Sequence, residues 1–160
     1  MNFIKQVVPY VIILIAVVLI RSFIVTPVVV SGPSMDDTLH DGQILLLKKY
    51  DHKYERNEII VFDYGKSKLV KRVIGLPGEH IKYVDGVLYV NDQEVFDEYA
   101  YKTADFDLIN LGYDVIPEGY YFVLGDNRTR SSDSRMIGLI KQDKIGGSVT
   151  FRLWPLGKVK

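Results

Sequence analysis

An unbroken apolar run near the amino terminus constrains this chain more than any other feature of its sequence. It extends from Val7 to Ile20 and reads VVPYVIILIAVVLI. With the apolar residues on either side of it, the run approaches the roughly 20 residues that span a bilayer as a helix. Lys5 and Arg21 flank the run, where long basic side chains can reach lipid headgroups. The sequence therefore predicts a transmembrane anchor over residues 1–25.

Two other structures are compatible with an apolar run of this kind. A helix buried in a protein core is disfavoured, because the segment has no polar face. A cleaved secretory signal is disfavoured, because Arg21 follows the run in place of a small-residue cleavage site. Lys5 precedes the run, and after Arg21 no further lysine or arginine occurs until Lys48. This bias predicts a single-pass protein of the cell membrane with a cytoplasmic amino terminus and an extracytoplasmic domain, residues 26–160.

Beyond the apolar run the sequence changes to short segments that are typical of β-strands. They are rich in valine, isoleucine, tyrosine and phenylalanine and are bounded by glycine, proline, aspartate or asparagine. Two of them are joined by Asp85-Gly86, a dipeptide that favours a type I′ hairpin. Residues 95–115 mix aromatic and acidic residues without a period, which predicts an irregular insertion in a mainly β domain. The predicted strands are Gln43–Lys49, Glu58–Asp63, Leu69–Gly75, His80–Val84, Val87–Val90, Tyr120–Leu124 and Gly147–Trp154.

Composition narrows the chemistry that is open to this domain. The 160 residues include no cysteine, which excludes disulfides, thiol nucleophiles and cysteine-ligated metals. Lysine plus arginine and aspartate plus glutamate both number 20, so no net positive charge favours nucleic acid as a partner. The histidines, His40, His52 and His80, are scattered, and none lies in a segment with a recognisable triad signature. A histidine-rich metal site and a Ser-His-Asp triad therefore have no support in the sequence.

Three segments carry residues that are suited to acyl-transfer chemistry. Ser34 lies in the turn Ser31-Gly32-Pro33-Ser34-Met35, where a hydroxyl can stand beside free backbone N–H groups. Lys71 and Arg72 lie on opposite faces of a predicted strand, so one of the two cations shares a face with apolar residues. If that residue is Lys71, burial would lower its pKa toward neutral pH, as a general base requires. The third segment, residues 125–135, is dense in charges and turn formers. Taken singly, these features favour an ordinary loop serine, an exposed strand lysine and a solvated loop.

Together, the three segments resemble the signature of the bacterial type I signal peptidases. The resemblance rests on Gly-x-Ser-Met after the apolar run, Lys-Arg-x-x-Gly-x-Pro-Gly further along, and Gly-Asp-Asn-Arg followed by Ser-x-Asp-Ser-Arg near the carboxyl terminus. The short form with one anchor is similar to the Gram-positive branch of that family. The resemblance implies a signal-peptidase-like β-fold catalytic domain with one N-terminal transmembrane helix.

The resemblance also implies a serine endopeptidase that removes signal peptides from exported preproteins after small residues at −1 and −3, through an acyl-enzyme. In the family pattern Ser34 is the nucleophile, Lys71 is the general base, and Ser131 is the hydroxyl that orients Lys71. The residues that would hold the site without performing chemistry form two pairs, Asp126 with Arg72 and Asp133 with Arg135.

Two positions depart from the family pattern. The Ser34 backbone N–H would be one oxyanion donor, but Gly32 stands where some relatives supply a second donor from a hydroxyl, which leaves Ser31 as a candidate. Asp37 stands where the family usually has proline, and it adds a charge near the substrate groove. The substrate is expected to bind as an extended strand. The residues that match the walls of the family's groove are Val30, Met35, Leu39, Leu69 and Val70.

No metal or cofactor is implied, and no nucleic acid. The expected partners are the signal peptides of secretory preproteins, the lipid bilayer and, by proximity, the secretion translocon. A self-cleaving repressor protease would share the Ser/Lys chemistry, but it needs a DNA-binding helical domain where this chain has its apolar run. A noncatalytic membrane-anchored adaptor that binds signal sequences is the alternative from a different functional class.

Overall fold

The computed structural model of the chain describes residues 2–49 and 53–159, and it confirms the mainly β architecture in this part. His52 lies outside the described residues. The helices are α1 (Asn2–Phe23), α2 (Ser134–Ile137) and three short 3-10 helices at Ala100–Lys102, Leu108–Leu111 and Gln142–Lys144. The strands are β1 (Val25–Val29), β2 (Ile44–Lys48), β3 (Ile59–Tyr64), β4 (Ser67–Gly75), β5 (Ile81–Val84), β6 (Val87–Val90), β7 (Gln93–Val95), β8 (Phe106–Asp107), β9 (Tyr120–Leu124), β10 (Ile140–Lys141), β11 (Ile145–Trp154) and β12 (Gly157–Lys158).

The amino-terminal apolar segment is helical. The large apolar side chains that α1 carries between Val7 and Leu19 are exposed. Within the described part of the chain, however, no helix combines the length and the hydropathy that a bilayer span requires. The transmembrane helix expected from the sequence is therefore not confirmed.

The strands form two antiparallel sheets. The larger sheet has the order β1-β2-β11-β3-β4-β9-β10, with β12 paired to β11, and the smaller sheet has the order β7-β6-β5-β8. The hairpin predicted at Asp85-Gly86 joins β5 to β6, with Val84 opposite Val87. Asp85 and Gly86 have φ values of 48° and 74°. Positive φ at both central residues is the mark of a type I′ turn, so this prediction is confirmed.

Every strand predicted from the sequence is present, with ends shifted by at most two residues. The sequence patterns did not predict β1, which directly follows the apolar helix and contains Pro27. Proline removes a backbone donor, and it is tolerated here because β1 lies at the edge of the larger sheet, where it pairs with β2 alone among the described strands. The apolar composition of this strand continues that of the helix, so no local signal separates the two.

The core next to β1 fixes the turn that carries Ser34. Val30, Met35 and Leu39 are buried in one cluster with side chains of β2, β3 and β11. Burying a side chain of this size contributes roughly 1.5–3 kcal/mol relative to leaving it in water. The turn between β1 and β2 is therefore anchored at three points around Ser34.

Two adjacent glycines in β11 provide a matched test of how closely β11 approaches β2. A Cβ on Gly147 would collide with the carbonyl group of Lys48 on β2, and its φ of 147° is strained for any L side chain. A Cβ on Gly146 would meet only ordinary contacts, the nearest at 3.5 Å. We expect Gly147→Ala to lower the free energy of unfolding by about 2 kcal/mol or more, and Gly146→Ala to leave it nearly unchanged. Urea unfolding of both variants measures this, and equal midpoints would contradict the close approach of β2 and β11.

Candidate active site

The turn that follows β1 presents the hydroxyl of Ser34. The backbone winds tightly here, since the N–H of Asp36 donates to Pro33 O at 3.1 Å and the N–H of Leu39 donates to Met35 O at 2.8 Å. Asn127 holds the turn from outside, because its backbone N–H donates to Ser34 O at 3.2 Å and its Nδ2 donates to Pro33 O at 3.1 Å. Ser34 itself is half-buried. A fixed turn with an accessible hydroxyl suits a nucleophile.

Lys71 reaches Ser34 from the neighbouring strand β4. Its Nζ donates to Ser34 Oγ at 2.7 Å and to Val70 O at 3.0 Å. The residue is 1% exposed, so the strand pattern taken alone, which favours an exposed lysine, is wrong. The reason is that both faces of β4 are covered here, because Lys71 contacts Ser34 of the turn after β1 and Arg72 contacts Asp126.

Burial sets the acid–base character of Lys71. It lowers the pKa of the amine from 10.5 to about 8, because the charged form loses its hydration. The negative charges of Asp133 and Asp126 act in the opposite direction and favour the ammonium form. At pH 7 roughly one molecule in ten therefore carries a neutral Lys71 amine. A general base needs this mixture of forms near neutral pH.

The segment 125–135 is locked by buried ion pairs, although Thr129, Arg130 and Ser132 are exposed. Asp126 accepts from Nε and Nη2 of Arg72 at 2.8 and 2.7 Å. Asp133 accepts from Nε and Nη2 of Arg135 at 2.8 Å each, and it also accepts from the backbone N–H of Gly125 at 3.1 Å. Both carboxylates are fully buried. The two ion pairs expected from the family pattern are thus present, each in a bidentate geometry that suits an arginine and a carboxylate.

Ser131 lies beside the site without the contact that was expected of it. Its Oγ is buried and has no hydrogen-bond partner among the described residues. It lies close to Gly125, where an added Cβ would collide with both Ser131 Oγ and Ser34 O. The expected hydrogen bond to Lys71 is not formed, because the Lys71 amine is directed at Ser34 and the Val70 carbonyl. The orienting role of Ser131 stays a prediction.

The candidate oxyanion donors differ in availability. Within the described residues the backbone N–H of Ser34 forms no hydrogen bond, so it can donate one to a ligand oxygen. The N–H of Gly32 donates to Asp41 Oδ1 at 2.8 Å and is occupied. Ser31 is exposed. The second donor is not identified by these contacts, and Ser31 stays the candidate.

The unusual residue Asp37 adopts a backbone conformation that proline cannot reach. Its φ is 96°, whereas the proline ring holds φ near −65°. Its carboxylate accepts from Lys102 Nζ at 2.7 Å. The charge that Asp37 adds near Ser34 is therefore balanced by a lysine from the irregular segment 95–115.

The predicted groove walls divide between two parts of the core. Val30, Met35 and Leu39 share one cluster, and Val70 packs against it half-buried. Leu69 packs instead against a different cluster, which includes Tyr54 and Phe62. The first three side chains are so deeply buried that they can only form the floor of a groove. Their contact with a substrate stays a prediction.

Several residues around the site have partners that the sequence did not predict. Arg128 forms a buried bidentate ion pair with Asp97, at 2.6 and 2.8 Å, and its Nη1 also donates to Thr103 at 2.7 Å. Thr38 and Tyr99 hydrogen-bond to each other at 2.9 Å. The pairs lie far apart along the chain, and the segment 95–115 has no period, so no local pattern could have predicted them.

Comparisons with known proteins show which family this chain belongs to. The family described as signal peptidase, peptidase S26, matches residues 2–154. Signal peptidase IB of Staphylococcus aureus is 38% identical over 161 residues, which cover 89% of this chain and 84% of that protein. Signal peptidase I of Bacillus licheniformis is 40% identical over 164 residues, which cover 92% of this chain and 88% of that protein.

A solved structure extends the comparison to the fold. The crystal structure of a signal peptidase I from Enterococcus faecalis is 39% identical, with a TM-score of 0.58 over 61% of this chain and 97% of that chain. The signal-peptidase-like β-fold expected from the three motifs is thereby confirmed. The chain belongs to the signal peptidase family, peptidase S26, and is a peptidase.

Proposed function

We propose that this chain is a serine endopeptidase that removes signal peptides from exported preproteins, with Ser34 as its nucleophile and Lys71 as its general base. The observation that carries the proposal is the 2.7 Å contact between Lys71 Nζ and Ser34 Oγ, made by a lysine that is excluded from water. The names of the relatives, signal peptidase I and IB, support the class of substrate.

The reaction begins when Lys71 is neutral. The amine lone pair takes the proton of Ser34, and Ser34 Oγ attacks the scissile carbonyl carbon. The tetrahedral intermediate then collapses to an ester of Ser34, and the ammonium group of Lys71 gives its proton to the departing amine. Water, deprotonated in turn by Lys71, hydrolyses the ester and restores Ser34. One lysine thus serves as base and acid in both halves of the cycle.

The ion pairs around the dyad support this use of Lys71. A carboxylate free to pair with the amine would hold it as ammonium and make it a poor base. Asp126 and Asp133 are each engaged by an arginine, in two hydrogen bonds apiece. The positive charge of each arginine thereby partly cancels the electrostatic effect of its carboxylate on Lys71. In the intermediate, the Ser34 backbone N–H would stabilise the oxyanion.

The apolar floor beneath Ser34 supports a preference for small residues. Val30, Met35 and Leu39 are fully packed, so the floor has no deep cavity for a large side chain. A substrate strand that alternates its side chains toward this floor would present the residues at −1 and −3. Alanine, glycine and serine fit there, and larger residues are excluded by steric overlap.

The amino-terminal helix supports membrane attachment. Its large side chains between Val7 and Leu19 are apolar and exposed, which a bilayer would cover. Lys5 and Arg21 flank them. We place the amino terminus in the cytoplasm and the peptidase domain outside the membrane, where signal peptides emerge from the translocon and are presented in the same thin layer as the enzyme.

Substitution of either dyad residue should abolish cleavage. We expect Ser34→Ala and Lys71→Met each to reduce turnover of a preprotein by at least about 1000-fold, because nucleophile and base act as a unit. Lys71→Arg should be equally inactive, because guanidinium does not release its proton near neutral pH. Release of the mature protein is followed by gel electrophoresis and its new amino terminus by mass spectrometry.

Matched controls are Ser132→Ala and Lys68→Met, which change an exposed serine of segment 125–135 and an exposed lysine of β4. Both should retain wild-type turnover.

A second preprotein substrate, with phenylalanine at −1, should resist cleavage by the wild-type enzyme. If the wild type binds the preprotein without cleaving it, the chain is a noncatalytic adaptor.

The pH dependence of cleavage should report Lys71. Because its pKa in the folded protein is about 8, kcat/KM should rise about tenfold per pH unit below that value and level off above it. Because burial lowers the pKa of Lys71, this rise in kcat/KM lies well below the pH at which an exposed lysine titrates. Initial rates between pH 6 and pH 10, on a short peptide substrate, measure it. A rise in kcat/KM centred above pH 10 would contradict a buried Lys71 as the general base.

Removal of residues 1–25 should separate chemistry from membrane attachment. The truncated protein should cleave a short soluble peptide at the wild-type rate, because Ser34 and Lys71 are retained. It should cleave a preprotein inserted in lipid vesicles more slowly, since it no longer shares a surface with the substrate. Equal rates on the vesicle-bound preprotein, or flotation of the truncated protein with the vesicles, would contradict the anchor.

A further inference from the structure

A buried carboxylate connects the two halves of the candidate dyad. Thr38, on the same turn as Ser34, donates from Oγ1 to Asp126 Oδ2 at 2.5 Å. Arg72, next to Lys71 on β4, donates to both oxygens of the same carboxylate. Asp126 is therefore a bridge between the turn that carries the nucleophile and the strand that carries the base.

Tyr99 completes this bridge from the irregular segment 95–115. Its hydroxyl lies 2.9 Å from Thr38 Oγ1. A hydroxyl has one proton, and the proton of Thr38 is given to the Asp126 carboxylate, which can only accept. Tyr99 is therefore the donor to Thr38, and the bonds run in one direction from Tyr99 through Thr38 to Asp126.

The ring of Tyr99 is held as firmly as its hydroxyl. The guanidinium carbons of Arg72 and Arg128 lie 5.9 and 5.7 Å from the ring centroid, within the range of cation–π contact. The residue is 9% exposed. Arg128 is itself fixed by Asp97, two residues before Tyr99. The tyrosine hydroxyl thus reaches Thr38 from a fixed position.

We propose that Tyr99 is a positioning residue of the peptidase reaction, which acts through Thr38 to keep the Ser34 turn in place against β4. The inference rests on the proposed function of Ser34 and Lys71. Tyr99 touches neither reacting group. It fixes the Thr38 hydroxyl on Asp126. It thereby also fixes the distance between the Ser34 turn and Arg72, which is next to Lys71 in the chain.

The position of Ser34 Oγ is sensitive to this bridge. Proton transfer to Lys71 needs a hydrogen-bonded distance, and a displacement of about 1 Å can reduce the rate by up to about 100-fold. Arg72 Nη2 also donates to Thr38 Oγ1, at a longer 3.3 Å. Without the shorter bond from Tyr99, the Thr38 hydroxyl is held on that side by this longer bond alone, and its position against Asp126 is less well fixed. We expect substrate binding to change little when the bridge is weakened, because the residues expected to line the groove, Val30, Met35 and Leu39, are packed by other side chains.

The first experiment compares two tyrosines of the same segment. Tyr99→Phe removes the hydroxyl and keeps the ring, whereas Tyr113→Phe removes an exposed hydroxyl. On a short peptide substrate we expect Tyr99→Phe to lower kcat by roughly 10-fold with KM within about twofold, and Tyr113→Phe to match the wild type. An unchanged kcat in Tyr99→Phe would overturn the proposal, and so would a rise in KM that accounts for the whole loss.

A double-mutant cycle tests whether Tyr99 acts through Thr38. Thr38→Val removes the intermediate hydroxyl and should lower kcat at least as much as Tyr99→Phe does, whereas Thr38→Ser keeps the hydroxyl and should restore most of the rate. In the Thr38→Val background, Tyr99→Phe should have no further effect. Losses that multiply in the double variant would overturn the proposal, because they would show that Tyr99 acts independently of Thr38.

Two controls keep the outcome separate from folding and from the proposed function. Far-ultraviolet circular dichroism and thermal melts select an assay temperature at which every variant is folded, and kcat is compared there. Ser34→Ala is assayed in parallel. If Ser34→Ala is inactive and Tyr99→Phe cleaves like the wild type, only the role of Tyr99 is overturned. If Ser34→Ala is active, the dyad itself is wrong, and the positioning proposal is overturned with it.

Discussion

The amine of Lys71, buried beside Ser34, is the constraint on which the rest of the site depends. Its pKa is lowered from 10.5 to about 8 by burial, so the charged form is less stable in the folded chain than in the unfolded one. Between about pH 8 and pH 10.5 the unfolded chain holds a proton that the folded chain has released, and stability rises with pH across that window. Below it, the folded state is destabilised by about 3 kcal/mol, which the packing of the surrounding sheet must offset.

The two carboxylates near Lys71 set how far burial can act. Each is held in a bidentate arginine pair, so neither makes an ion pair with the amine, yet both still favour its charged form. Unpaired carboxylates would keep the lysine protonated, and apolar residues in their place would leave the lowering by burial unopposed. The arrangement instead holds the pKa of Lys71 within reach of neutral pH. The carboxylates of residues 125–135, paired with Arg72 and Arg135, thus affect the pKa of Lys71 as well as the shape of the loop.

The sequence predicts much of the fold because the strands carry local signals. The hairpin at Asp85-Gly86 follows from one dipeptide, and the ion pairs of Asp126 and Asp133 follow from the family motif. The burial of Lys71 does not follow from its own strand, because its exposure depends on the turn of Ser34, which covers this face of β4 and lies 37 positions away in the sequence. The contacts of Thr38 with Tyr99 and Asp126 join residues 61 and 88 positions apart, so they depend on tertiary structure that no local period records.

The irregular segment 95–115 is therefore part of the site's support and not only an insertion. It reaches the Ser34 turn at two adjacent residues, through Lys102 to Asp37 and through Tyr99 to Thr38. The first contact is an exposed ion pair, which salt screens. The second is part-buried, and Thr38 passes it on to a carboxylate that also binds Arg72. A proline at position 37 would stiffen the turn locally by fixing φ, but the φ of 96° found here excludes that device. In this chain the Ser34 turn is held by its own backbone hydrogen bonds and by tertiary contacts. Of the two contacts from segment 95–115, the part-buried bond from Tyr99 is the less exposed to solvent and salt.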